Sequence, residues 1–381
     1  MIKIFLTGDN HFGLSHDRYK DVKEKIIESR YKALENCVRA AEEENCQYFV
    51  VAGDLFDKVN VAQKIIKRVV EILESFNGTV LVLPGNHDFY TEEVDVWAHF
   101  QKFLSKSNVV LLNEFRPYEF ETSEDETVVF YPAFCQSKHA KENNLSWIKE
   151  IDLSTEADYR IGVAHGAIKG ETPDLKQEYF LMTKEELNAI GMDAWLIGHT
   201  HIPFPKLGSN EQTEREVGRI FNAGSHQQTD ISNNTEGFGF VISLKKVGST
   251  SELSAHAVAT GTLKFIEKTV VLKPDVEDAL RKGITDALQG HDPVHTIVRL
   301  HLTGTLLAQD YKTWRKTAED MLSDYLAFDQ IDSSNLSEEL TLERIRDEFP
   351  DMGAAYKLLE RLMDKPKEAQ MAYDLLQECS H

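Results

Sequence analysis

The chain has 381 residues, 41% hydrophobic and 28% charged, a globular composition with enough length for two or three domains and a core that needs no covalent staples. Its net charge of −21 argues against a free-standing polycationic nucleic-acid binder, because such a surface repels phosphate at long range. A nuclease stays open, since bound divalent ions, a local basic patch or a partner subunit can reverse that field where it matters.

Along the chain, apolar β-branched runs alternate with amphipathic stretches. The runs Ile2–Thr7, Tyr48–Ala52, Thr79–Leu83 and Val109–Leu112 predict strands, and Thr127–Tyr131, Arg160–Ala164, Ala194–Ile197, Arg219–Phe221 and Phe238–Leu244 continue the series. Helices are predicted around Val22–Glu44, Val61–Phe76 and Val94–Ser105. In the first of these, Ile26, Ile27, Tyr31, Leu34 and Val38 recur at helical spacing. This order predicts an α/β layered β-sandwich flanked by helices over residues 1–260. The acidic stretch Glu119–Thr127 reads as a solvated surface hairpin or loop.

Beyond Ala259 the pattern changes. Phe265–Leu272 and Thr296–Leu302 read as strands, and Val276–Leu288 and Tyr311–Phe328 as helices, giving a small α+β cap over 261–332. Polar Ser333–Glu339 reads as a linker into a helical tail, 333–381, with apolar faces at Tyr356, Leu359, Leu362 and Met363 and at Met371, Tyr373, Leu375 and Leu376. The region 306–381 carries 9 Lys+Arg against 17 Asp+Glu and is no DNA-binding arm. The four cysteines, Cys37, Cys46, Cys135 and Cys379, form no CxxC pair and read as reduced thiols. The first residues enter a strand directly and no apolar run nears the length of a membrane span, so a soluble, cytoplasmic chain is expected.

Five segments carry the chemistry: Gly8-Asp9-Asn10-His11, Gly53-Asp54-Leu55-Phe56-Asp57, Gly85-Asn86-His87-Asp88, His165-Gly166 and Gly198-His199-Thr200-His201. Each sits just past a predicted strand's C-terminal end, the edge where open α/β sheets form ligand sites. Any one alone reads as a turn or a surface histidine. Five in order supply what a pair of divalent ions needs, a bridging carboxylate and further N/O ligands for each ion. A mixed Asp/Asn/His set without cysteine suits Mn, Fe or Zn better than Ca.

The ordered set DxH, GDxxD, GNHD, HG and GHxH resembles the calcineurin-like metallophosphoesterases. Within them, AGDLFD at Ala52–Asp57, GNHD at Gly85–Asp88 and the appended cap resemble the Mre11/SbcD-type nuclease subunits. The resemblance implies a first ion held by Asp9, His11 and His201, a second held by Asn86, His165 and His199, and Asp54 bridging. His87 would be the non-ligand acid that protonates the leaving 3′-oxygen. It further implies two Mn2+ ions, hydrolysis of DNA phosphodiesters in repair or end processing, a homodimer, and an SMC-like (Rad50/SbcC-type) ATPase partner bound through the C-terminal helices.

Lys58 stands where phosphatases of the superfamily carry a phosphate-clamping arginine, and Asn10 where the nucleases often carry an aromatic. The resemblance implies that Asp57 pairs with His87, raises its pKa and keeps it protonated as the acid; Asp88 competes for that role, though its position also suits capping the following turn. Asn222–His226 is either a substrate contact or a structural turn, and His295 and His301 read as surface or packing residues. The tail helices either bind a partner or fold back on the cap. The alternatives to a nuclease are a phosphatase or cyclic-nucleotide phosphodiesterase, and a binding protein that has lost the chemistry.

Overall fold

In the computed structural model, described for residues 1–153, 157–172, 176–233, 235–248, 250–349 and 353–379, two units form, 1–265 and 266–381. The first unit opens with β1 (Ile2–Thr7), α1 (Lys23–Glu43), β2 (Tyr48–Ala52), α2 (Gln63–Leu73), β3 (Thr79–Leu83), α3 (Asp95–Phe103) and β4 (Val109–Leu111). It continues with β5 (Tyr118–Glu121), β6 (Thr127–Ala133), α4 (Ser146–Glu150), β7 (Tyr159–His165), α5 (Lys184–Ile190) and β8 (Ala194–Gly198). Short β9 (Gln212–Thr213), α6 (Glu214–Val217) and β10 (Ile220–Phe221) precede the long pair β11 (Phe238–Val247) and β12 (Thr250–Ala259).

These strands make two sheets, ordered β4-β3-β2-β1-β11-β12-β9 and β10-β8-β7-β6-β5. The strands β1 to β4 pair in parallel, as do β6, β7 and β8. Their residues are apolar on both faces because both faces are covered. Phe5, Phe49, Val51 and Val82 pack under Leu34 of α1, Val69 of α2 and Trp97 of α3. The alternate residues Ile4, Leu6, Val50 and Leu81 meet Phe130, Ile161 and Leu196 of the second sheet. Its outer residues, Tyr131, Trp195 and Ile197, lie under Ile148 of α4 and Leu187 of α5. The result is a helix–sheet–sheet–helix sandwich, the expected fold class. Parallel strands held in register bring the C-terminal ends of β1, β2 and β3 side by side, and likewise those of β7 and β8.

β13 (Lys264–Leu272) runs across the division into the second unit, followed by α7 (Ala279–Leu288), β14 (Thr296–Leu306), α8 (Ala308–Leu322) and β15 (Ala327–Glu338). The three strands form one sheet, β13-β14-β15, whose apolar face packs on α7 and α8. Two expectations are corrected here. The last helix of this α+β unit stops at Leu322 rather than Phe328, and Ser333–Glu338 is the second half of β15, paired in parallel with β14, rather than a linker. β15 is an edge strand with a largely solvated face, so its side chains alternate polar with weakly apolar and mimic a loop. The tail is α9 (Leu342–Glu348), α10 (Ala354–Leu362) and α11 (Pro366–Cys379). Ile345, Tyr356, Leu359, Ala369 and Tyr373 close a small core among them, leaving Leu358, Met371 and Leu375 exposed. No helix of the described residues is long and apolar enough to cross a membrane.

Candidate metal centre

The C-terminal ends of β1, β2, β3, β7 and β8 and the loops that leave them carry the candidate ligands, and they meet. Asp9, His11 and His201 present ligand atoms within 4.8 Å of one another, as do Asp9, Asp54 and His165, and His11, Asp57 and His87. His11 Nε2 faces His201 Nε2 at 3.0 Å. Asn86 Oδ1 lies 2.9 Å from His165 Nε2 and 3.0 Å from His199 Nδ1. The Asp54 carboxylate stands between the two groups, with Oδ2 3.4 Å from His165 Nε2 and 3.8 Å from His11 Nε2. All nine sequence-predicted site residues therefore fall in one cluster.

Local backbone explains how five loops fit so closely. Asp9, His11, Asp54 and His199 all have φ between 46° and 109°, a region L-residues rarely adopt and one that clusters at functional sites. Gly53 is required for a second reason: a Cβ there would lie 2.1 Å from His165 Nδ1. At Gly85 a Cβ would lie 2.2 Å from Asp54 Oδ1.

Backbone groups then aim the side chains. His165 Nδ1 donates to the Ala52 carbonyl at 2.9 Å, so its Nε2 is turned toward Asp54 and Asn86. The His199 amide donates to both Asp9 carboxylate oxygens at 3.1 Å, and the His87 amide to Asp54 Oδ1 at 2.8 Å. Ser225 of the Asn222–His226 segment donates its hydroxyl to the Asp9 carbonyl at 3.1 Å, and the whole turn is buried. That segment is a structural turn which steadies the first ligand loop.

The electrostatics of the chain alone suit a cation. Burial pushes His11 well below its usual range and His199 down to about 3, and it lowers His201, so these imidazoles stay neutral with lone pairs free. Burial opposes charge on His165 too, but the Asp54 carboxylate beside it outweighs this and holds it at about 9. Burial also raises Asp9 to about 7. Asp54 goes the other way: against its burial, His165 and the neighbouring histidines pull its carboxyl well below the usual range. Neutral His11, His199 and His201 beside an ionised Asp54 match the donor set a divalent ion requires, while His165 and Asp9 give up protons to join it.

Two details differ from the expectation for His87. Its Nδ1 lies 2.9 Å from the main-chain carbonyl of Asp57, an acceptor that obliges Nδ1 to carry the proton. The Asp57 carboxylate turns instead toward His11 Nδ1, 3.7 Å away. Asp88 does not pair with His87 either. Fully buried, it accepts from Phe56 N at 2.9 Å and Gly85 N at 2.7 Å, tying the β2 loop to the β3 loop. A cleft of about 450 Å³ opens beside His199 and His201 and is lined also by Thr172, Thr200, Thr229 and Asp230. A larger groove of about 960 Å³, bordered by Lys3, Arg219 and Ser254, contains none of the candidate ligands.

The sequence pattern of the calcineurin-like phosphoesterase family matches residues 2–203, over half of the chain and all five ligand loops. The chain belongs to this family. As a calcineurin-like phosphoesterase it is a metallophosphoesterase, a hydrolase whose family binds a dinuclear metal centre. It is 29% identical over 195 residues to the uncharacterized metallophosphoesterase YhaO of Bacillus subtilis, covering 50% of this chain and 45% of that protein. It is 27% identical over 184 residues to the DNA double-strand break repair protein Mre11 of Archaeoglobus fulgidus, covering 45% of this chain and 40% of that one. The match thus spans less than half the length of either relative. Among solved structures, the calcineurin-like phosphoesterase YfkN of Bacillus subtilis aligns with a TM-score of 0.42 at 14% identity, over 76% of this chain and 96% of that one.

The sequence reading missed one buried side chain behind the centre, Arg30 on α1. A signal was present. Arg30 falls four residues after buried Ile26 and four before buried Leu34, on the helix face that should be apolar.

Proposed function

We propose that this phosphoesterase hydrolyses DNA phosphodiesters, as a Mn2+-dependent exonuclease or endonuclease of the repair or end-processing type. The observation that carries the choice of substrate is the similarity to an archaeal protein named for DNA double-strand break repair. Lys58 adds support: it is exposed and offers a point charge where a phosphatase would hold a terminal phosphate with a bidentate arginine.

In this reading Asp9, His11 and His201 hold one ion, Asn86, His165 and His199 the other, and Asp54 bridges. The reach of Asp54 Oδ2 to a histidine of each set supports the bridging assignment. When bound, the ions supply Lewis-acid polarisation of the phosphate and a nucleophile at neutral pH. The chain's own groups do the rest. His87, half-buried and anchored through Nδ1, keeps Nε2 to protonate the leaving oxygen. Asp57 fixes that ring through its carbonyl, while its carboxylate faces the first ligand set.

The reading extends to a homodimer and to an SMC-like ATPase that docks on α10 and α11, where Leu358, Met371 and Leu375 are exposed. A basic partner of this kind would supply the DNA-binding field that a chain of net charge −21 lacks.

The test is Mn-supplemented digestion of linear duplex and hairpin DNA beside a generic phosphodiester and a cyclic nucleotide, with His87→Gln as control. Degradation of DNA by the wild type and not by the variant is expected. Turnover restricted to the small esters would replace the nuclease reading with a small-molecule phosphodiesterase.

A further inference from the structure

Behind the loop that carries Asp9 and His11 lies a cation that the proposed chemistry does not use. Arg30 is 2% exposed, and its Nη2 donates to the main-chain carbonyl of Asn10, the residue between the two ligands. Its Nε and Nη1 are buried with no hydrogen-bond partner, and among the described residues no carboxylate stands within ion-pairing distance. The His226 ring holds the main chain of Arg30 from the other side, Nε2 to the carbonyl at 3.0 Å.

Burial lowers its pKa to about 10, which leaves it fully charged at neutral pH, and the acid whose field it answers is Asp57 in the centre. The positive field of Arg30 reaches His11 and His201. Holding one carbonyl needs one N–H, which a neutral side chain can supply. Burying a whole guanidinium without a paired carboxylate is costly. The charge therefore asks for a function of its own.

We propose that Arg30 is a positioning residue of this phosphoesterase centre. The Asn10 carbonyl holds its guanidinium behind the Asp9–His11 loop, where its fixed charge favours binding of the substrate's phosphate. This rests on the family's phosphoester chemistry and not on DNA as substrate, so the two readings fail separately.

The test is calorimetric titration of inorganic phosphate into the Mn-loaded full chain, with Mn titration of the metal-free chain beside it, for wild type, Arg30→Met, Arg30→Gln and Arg30→Lys. Loss of the charge weakens phosphate binding roughly tenfold, the order expected for a charge several ångströms away in a partly screened site, and leaves Mn binding equal or tighter, because a like charge is gone. Arg30→Lys stays within a few-fold of wild type for phosphate. A purely structural role predicts a different pattern, in which the loosened loop weakens Mn and phosphate together. That pattern, or unchanged phosphate affinity in both neutral variants, overturns the proposal. Arg30→Gln keeps an N–H for Asn10 and is read if Arg30→Met does not fold; failure of both to fold would make Arg30 a folding residue and also overturn it.

Discussion

Asp88→Ala removes the side chain that binds two ligand loops together. The carboxylate is fully buried and accepts from Phe56 N at 2.9 Å and Gly85 N at 2.7 Å, so the substitution strands two main-chain donors away from water. Each unsatisfied donor costs about 1–3 kcal/mol, about 2–6 kcal/mol for the pair. Burial raises Asp88 to about 8, so at neutral pH the metal-free chain carries it largely protonated; relief of that polar group's desolvation offsets part of this, which places the net loss at roughly 2–4 kcal/mol. Asp88→Asn keeps one acceptor but turns an NH2 on the other donor, so it should lose less, about 1–2 kcal/mol. The assay is equilibrium urea unfolding of the metal-free chain at neutral pH. Since the tied loops carry Asp54 and Asn86, Mn affinity should fall as well. A loss below about 1 kcal/mol for Asp88→Ala, with unchanged Mn affinity, would refute the tie as the reason for this aspartate.

His87→Gln should retain both ions while kcat on a generic phosphodiester falls by about 10²–10⁴, as for loss of a general acid; loss of an ion instead would put His87 among the ligands. Metal binding should release protons. In the metal-free chain His165, at about 9, and Asp9, at about 7, hold protons near neutrality, whereas His199, at about 3, holds none. Mn affinity should therefore rise with pH from below 7 and level off above about 9. Calorimetry in two buffers of different ionisation enthalpy counts the protons, and none released would contradict these assignments.

The sandwich was legible because its parallel strands are covered on both faces and so read as unbroken apolar runs, such as Tyr48–Ala52 and Thr79–Leu83. The ligands were legible because each lies beside a glycine at the end of such a run, and at Gly53 and Gly85 a close approach demands that glycine. Strands with a solvated face were harder. β12 alternates Ser and His with small apolar residues, and β15 sits at a sheet edge, so neither carries a strong apolar signal. The supports behind the site were hardest. Asp88 resembles a turn cap in sequence, and only the fold brings Phe56 N to its carboxylate. The partner of His87 could not be read from residue types, because the bond is made to a main-chain carbonyl of Asp57 and not to its side chain.

A paired-ion centre bridged by Asp54 fixes how many ions the chain binds, and elemental analysis after equilibrium dialysis counts them as Mn per chain. Two ions are expected in the wild type, one in His201→Ala, and neither held tightly in Asp54→Asn. A wild type that saturates at one ion, or an Asp54→Asn variant that keeps two, would contradict it.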